Sequence, residues 1–162
     1  MRIVSIIGHK KTGKTRLIEA LIPILQQRGH RVGTVKHAPH TPVQGDPTAD
    51  SARHRKAGAE RTLLAAEDGA ALFFEPGDDI EGAIEEVFFG FDIVLVEGYK
   101  DGPFPKIEVY RRADDSALPL ATTRTVSCLV TNENNPPVEG IPIFSPDDIE
   151  GIAQLIERIR SG

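Results

Sequence analysis

Gly8, Gly13, Lys14 and Thr15 satisfy the spacing GxxxxGK[ST] across the octapeptide GHKKTGKT. Residues of these types in this order suit the binding of a polyphosphate. Glycines let the backbone curl until successive N–H groups face one concavity, and a helix beginning at the second glycine adds partial positive charge there. His9, Lys10, Lys11 and Thr12 fill the loop, Lys14 reaches the terminal phosphates, and the Thr15 hydroxyl ligates Mg²⁺. A glycine-rich link between strand and helix can also be a plain tight turn. Here the apolar run RIVSII precedes the motif and the amphipathic TRLIEALIPILQQ follows it, which is the context phosphate binding needs.

A magnesium-bound phosphate calls for an acid, and FDIVLVEG offers Asp92 and Glu97. Five strand steps of about 3.3 Å separate them by roughly 16 Å, so only one can face the phosphates. Ligands of parallel α/β sheets sit beyond the C-terminal strand ends, which selects Glu97. A third group lies in residues 35–59, where His37, His40, His54, Asp46 and Asp50 accompany Lys36, Arg53, Arg55 and Lys56. The histidines and aspartates raise the thought of zinc, but their spacing fits no common structural pattern and no cysteine joins them. RHRK reads equally as a solvated helix face or as an anion contact. Lys36 and His37 leave their strand on the same edge as Gly8 and Glu97.

These residues need a scaffold, and the chain supplies one in alternating segments. Short apolar runs recur as RIVSIIG, HRVGTVKH, RTLLAA, AALFFE, DIVLVEG, KIEVYR, TVSCLVTN and IPIFS. Several are almost continuously apolar, as strands covered on both faces are. Between the first two, Leu17, Ile18, Leu21, Ile24 and Leu25 share a helical face, with Gly29 as a stop and Pro23 expected to kink the helix. Ile80, Ala83, Ile84, Val87 and Phe88 mark a second helix. A last one is expected to start at SPDD, with Ser145 as cap, Pro146 in the first turn, Asp147 and Asp148 favouring the dipole, and Ile149, Ile152, Ile156 and Ile159 as its buried stripe. The pattern predicts an α/β three-layer sandwich around a mostly parallel sheet. The short link between RTLLAA and AALFFE cannot hold a crossover helix, so these two are expected as an antiparallel hairpin at one edge.

Composition sets bounds. The 162 residues, 40% apolar and 27% charged, suit one folded domain spanning 1–162. A net charge of −5 disfavours broad attraction to nucleic acid or anionic lipid. No apolar run approaches the roughly 18 to 20 residues of a membrane helix, and no signal-peptide pattern opens the chain, so a cytoplasmic location is expected. The single Cys128 sits in an apolar run and reads as a buried small hydrophobe.

Taken together, the phosphate loop, VKHAPH, DSARHRKAGA, LVEGYK and PKIEVYR, in that order over nearly the whole chain, resemble the molybdopterin-guanine dinucleotide biosynthesis protein B (MobB) family. The resemblance implies a P-loop fold and a homodimeric GTP-binding protein with weak GTP hydrolysis. Such a protein assists a separate molybdenum cofactor guanylyltransferase in attaching GMP to molybdopterin. It implies nucleotide contacts from Gly8 to Thr15 and from Lys36 and His37, with Thr15 and Glu97 on Mg²⁺. Asp50, Arg53, His54 and Arg55 become candidates for anion or partner contacts, and molybdopterin itself a candidate ligand. No residue is assigned a catalytic role. A small-molecule kinase and a non-catalytic, nucleotide-dependent adaptor stand as alternatives. Two departures are visible. VKHAPH carries Ala38 and Pro39 where polar residues are frequent, and LVTNENN carries Asn132 where an aspartate usually reads guanine. Asn132 is counted with the nucleotide contacts, and the choice between GTP and ATP stays open.

Overall fold

All eight apolar runs form strands: β1 (Arg2–Ile7), β2 (Val32–Lys36), β3 (Arg61–Ala66), β4 (Gly69–Phe74), β5 (Ile93–Glu97), β6 (Lys106–Val109), β7 (Cys128–Val130) and β8 (Ile143–Phe144). Among the described residues four α-helices accompany them, α1 (Lys14–Gln27), α2 (Asp50–Lys56), α3 (Ile80–Val87) and α4 (Ile149–Arg158). The computed structural model describes residues 1–41, 49–75, 77, 79–112, 118–122 and 125–160. These fall into two compact units, Met1–Ala38 with Phe88–Gly162, and Pro39–Val87.

The first unit holds a six-stranded sheet in the order β2-β5-β1-β6-β7-β8, with every neighbouring pair parallel. Alternation along the strands divides its residues between two faces. Val4, Ile6, Ile93, Leu95, Ile107, Val109, Cys128 and Val130 meet Leu17, Leu21 and Leu25 of α1 and Ile152 and Ile156 of α4 in the main core. The opposite face buries Ile7, Val94, Val96 and Leu129, together with the polar Ser5 and Glu108. Gly33 is placed there against Phe88, whose ring would lie 2.4 Å from any Cβ at that position. Cys128 is a core residue, and burial pushes its thiol up to about 12.

Helix α1 runs through Pro23 and ends as its glycine suggested. Gly29, at φ +87°, gives its N–H to the Gln26 carbonyl while His30 N–H reaches Leu25, the paired bonds of a Schellman stop. The start of α4 differs from expectation. Ser145 builds a preceding turn, accepting Asp147 N–H on its Oγ at 3.3 Å, and the true cap is Asp148, whose carboxylate accepts Gly151 N–H at 3.0 Å. Gly151 permits this, since a Cβ there would sit 2.5 Å from the Asp148 carboxylate.

The second unit contains α2, α3 and the β3–β4 hairpin. The antiparallel pairing expected of these strands is present, closing from Arg61↔Phe74 to Ala66↔Gly69. It forms a separate two-stranded sheet and not an edge of the large one, whose outer places belong to β2 and β8. Six register pairs satisfy the hairpin's inner backbone groups without a third strand. Arg61 pairs with Glu86 of α3 at 2.6 Å, and the Arg55 guanidinium of α2 lies 4.4 Å from the centre of the Phe73 ring. Among the described residues, no helix is long and apolar enough to cross a membrane.

Candidate functional site

The parallel sheet sends β1, β2 and β5 to the same edge, and their last residues meet there. Register pairs Glu97 with Ile6 on one side and with Lys36 on the other. Gly8 follows β1 at φ +143°, and a Cβ on it would lie 2.2 Å from the Val109 carbonyl, so β6 forces glycine at the mouth of the loop. Gly13 is required for a different reason. It has open space around it but a φ of +104°, and this turn delivers Lys14 and Thr15 into the first turn of α1. The first N–H groups of a helix have no acceptor within it, and here they open toward the loop.

Side chains complete the cradle. Lys14 Nζ donates to the Gly8 and His9 carbonyls at 3.1 and 2.7 Å, which stretches its ammonium over the loop. Burial draws its pKa below the usual lysine value; Glu97 acts against that and Lys36 with it. Thr15 Oγ1 donates to Glu97 Oε2 at 3.0 Å, and Lys36 Nζ reaches Glu97 Oε1 at 3.4 Å. The Glu97 side chain is 17% exposed, so this carboxylate is the partly sheltered hub of a hydroxyl and two cations. Asp92 lies at the other end of β5, where it accepts Arg31 N–H at 2.7 Å.

Two neighbouring features were not read from the sequence. Tyr99 stacks on His37 with ring centres 4.4 Å apart, and holds a left-handed backbone at φ +58° directly after Gly98. Gly102 makes room for it, because a Cβ there would come within 2.5 Å of the tyrosine ring. The only local signal is the tyrosine following Glu97-Gly98. The second feature is Glu108, fully buried beside the loop, which accepts the backbone N–H groups of Leu120 and Ala121 at 2.7 and 2.8 Å. Burial raises its pKa against the pull of those two bonds and of His9. His9 Nε2 donates to the Leu118 carbonyl at 3.1 Å, so the phosphate loop and Glu108 hold the same short segment.

On the other side of β1, a cavity of about 630 Å³ opens between the loop, the ends of β6 and β7, and the start of α4. Asn132 lines it with Lys11, Thr12 and Gly13. The remaining sequence candidates, Asp50, Arg53, His54 and Arg55, all belong to α2 in the second unit. Asp50 and Arg53 pair with each other at 3.1 Å. Among the described residues, no three of histidine, cysteine, aspartate and glutamate converge as metal ligands, and Asp46 lies outside those residues.

A parallel sheet whose first strand feeds a GxxxxGKT loop, with an acid on the adjoining strand end, defines a P-loop-type α/β protein. A family model described as molybdopterin guanine dinucleotide synthesis protein B, MobB, matches residues 3–132, and the chain belongs to this family. It is 32% identical over 151 residues to the molybdopterin-guanine dinucleotide biosynthesis adapter protein of Escherichia coli, covering 90% of this chain and 85% of the relative. A probable adapter protein of the same description from Bacillus subtilis is 26% identical over 98% of this chain and 93% of its own length. The crystal structure of Bacillus subtilis MobB aligns with a TM-score of 0.71 at 25% identity over 100% of both chains. A crystal structure of molybdopterin-guanine biosynthesis protein B aligns at 0.69 and 28% identity over 96% of each.

Proposed function

We propose that the chain is a GTP- and Mg²⁺-binding accessory protein of molybdopterin-guanine dinucleotide biosynthesis, working with the guanylyltransferase that attaches GMP to molybdopterin. The observation that carries this reading is the convergence of Lys14, Thr15, Lys36 and Glu97 at one sheet edge beside the glycine loop. Relatives named as adapter proteins of that biosynthesis support the pathway.

In this reading the loop amides and Lys14 hold the β- and γ-phosphates. The Thr15 hydroxyl and Glu97 carboxylate would hold Mg²⁺, and the fit is chemical: both are hard oxygen donors, already within 3.0 Å of each other. Mg²⁺ keeps most of its waters and takes phosphate oxygens, so two protein oxygens suffice. When bound, the ion neutralises charge on the phosphate oxygens. Lys36 holds the second oxygen of Glu97 and keeps the carboxylate aimed, while His37 and Tyr99 wall the same edge. Hydrolysis is slow in this reading, and the nucleotide serves the partner enzyme or sets the conformation that meets it. Leu63 and Leu72, register partners of the hairpin and 65% and 44% exposed, support a homodimer joined through the face they share.

The test is calorimetric titration of the chain with GTP and ATP, with and without Mg²⁺. Mg²⁺-dependent GTP binding that disappears in Lys14→Ala, with the melting curve unchanged, is expected. A wild-type chain that takes up neither nucleotide overturns the proposal.

A further inference from the structure

We infer that Asp147, one residue before the α4 cap, reads the guanine base, and that Asn132 assists it without being the reader. The inference rests on the GTP reading above and deepens it. A nucleotide in the loop has its direction set by the side chains around it. The hydroxyl, acid and lysine suited to Mg²⁺ and terminal phosphate lie on the β5 and β2 side of β1. The nucleoside is therefore directed to the β6 and β7 side, where the cavity begins at Lys11, Thr12, Gly13 and Arg16. Its volume of about 630 Å³ lies in the range of small-molecule sites.

Two acids, Glu133 and Asp147, share that cavity with Asn132. Guanine differs from adenine in presenting two adjacent donors, N1–H and the 2-amino group, which one carboxylate accepts together. Asn132 alone does not discriminate, because an amide offers a donor and an acceptor to either purine. Glu133 is engaged by the neighbouring segment after β6, where its Oε1 accepts Arg112 N–H at 3.3 Å. The pair at the start of α4 divides its labour. Asp148 turns its carboxylate back onto Gly151, whereas Asp147 fixes its backbone through Ser145 Oγ, is exposed and lines the cavity. The carboxylate missing after β7 is thus supplied from the loop after β8, and Asn132 is left to donate to O6 or N7.

Competition binding with GTP, inosine, xanthosine and adenosine triphosphates, on the wild type and three variants, tests this. The wild type is expected to hold GTP about tenfold or more above the inosine analogue, which lacks the 2-amino group, and above ATP. Asp147→Asn exchanges a double acceptor for an acceptor and a donor. It is expected to lose GTP and gain the xanthosine nucleotide, each by about tenfold or more. That gain cannot arise from misfolding. Asp148→Ala lowers the melting temperature with the base ratios unchanged, and Glu133→Gln leaves those ratios unchanged. Wild-type ratios retained in Asp147→Asn, or the same exchange produced by Glu133→Gln, overturn the assignment while the GTP reading stands. Failure of the wild type to bind any of the four nucleotides removes both.

Discussion

The Thr15 hydroxyl donates to Glu97 Oε2 at 3.0 Å across 82 residues of chain, joining the first turn of α1 to the end of β5. Parallel pairing of β5 with β1 makes the contact possible, because it brings the end of one strand beside the start of the loop that follows the other.

Glu97→Gln keeps an oxygen for Thr15 and removes the charge. The gain in GTP affinity produced by Mg²⁺ is expected to fall about 10- to 100-fold, as for lost support of a metal ligand, while affinity in EDTA holds or rises with one fewer anion near the phosphates. Titrations with Mg²⁺ and with EDTA read the two arms separately. An undiminished Mg²⁺ increment would place the acid elsewhere.

The two glycines of the loop are needed for different reasons, and substitution separates them. In Gly8→Ala the new methyl overlaps the Val109 carbonyl in addition to straining the backbone at φ +143°; Gly13→Ala carries backbone strain with open space. Strain of this kind costs about 1–3 kcal/mol, and overpacking adds about 1–3 kcal/mol more. Urea midpoints are therefore expected to fall further for Gly8→Ala. Equal losses would mean that β6 yields to the methyl without cost.

Strand positions were legible because parallel strands buried on both faces are largely apolar, and Ile3, Val4, Ile6 and Ile7, or Ile93 to Val96, carry that signal without help from neighbours. Glu97 was legible for a related reason, since strand length alone separates the two ends of β5. The cap of α4 was not. Ser145, Asp147 and Asp148 are all competent by type, and the choice fell to Asp148 because Gly151 lets its carboxylate approach. The place of the hairpin was hidden as well: β3 and β4 announce each other locally, but whether they join the large sheet depends on which strands already hold its edges. The contact of Tyr99 with His37, and the cavity that Asp147 and Asn132 both line, join distant segments in a way no local spacing encodes.

The ends of α1 and α4 are tied by Glu157, which accepts His30 Nε2 at 2.9 Å and Arg28 Nη1 at 2.7 Å. The His30 bond first, then Arg28, hold its carboxyl below the usual carboxylate range, while burial opposes them. A depressed folded-state pKa contributes stability above the ordinary carboxylate value and loses it as pH falls through the depressed one. Glu157→Gln is therefore expected to cost about 1 kcal/mol or less at pH 7, screened by solvent. Its deficit against the wild type should shrink as the pH is lowered from 5 toward 3. Urea curves across that range check it, and a deficit that stays constant would assign the effect to packing.

The hairpin leucines provide the last prediction. Leu63 and Leu72 are register partners on β3 and β4, so their side chains share one face of the two-stranded sheet, and both are largely open to solvent. A two-stranded sheet is marginal by itself, and covering such a face with a second copy would bury the leucines and stabilise the hairpin together. Leu63→Glu with Leu72→Glu places two like charges opposite each other on that face, which repel one another and oppose its burial. The wild type is expected to run as a dimer in light scattering after size exclusion, and the double variant as a monomer. GTP binding should be retained in the variant, because the loop, Thr15 and Glu97 belong to the other unit. A variant that keeps the dimer mass, or a wild type that is monomeric at the same concentration, would rule the hairpin out as the joining face.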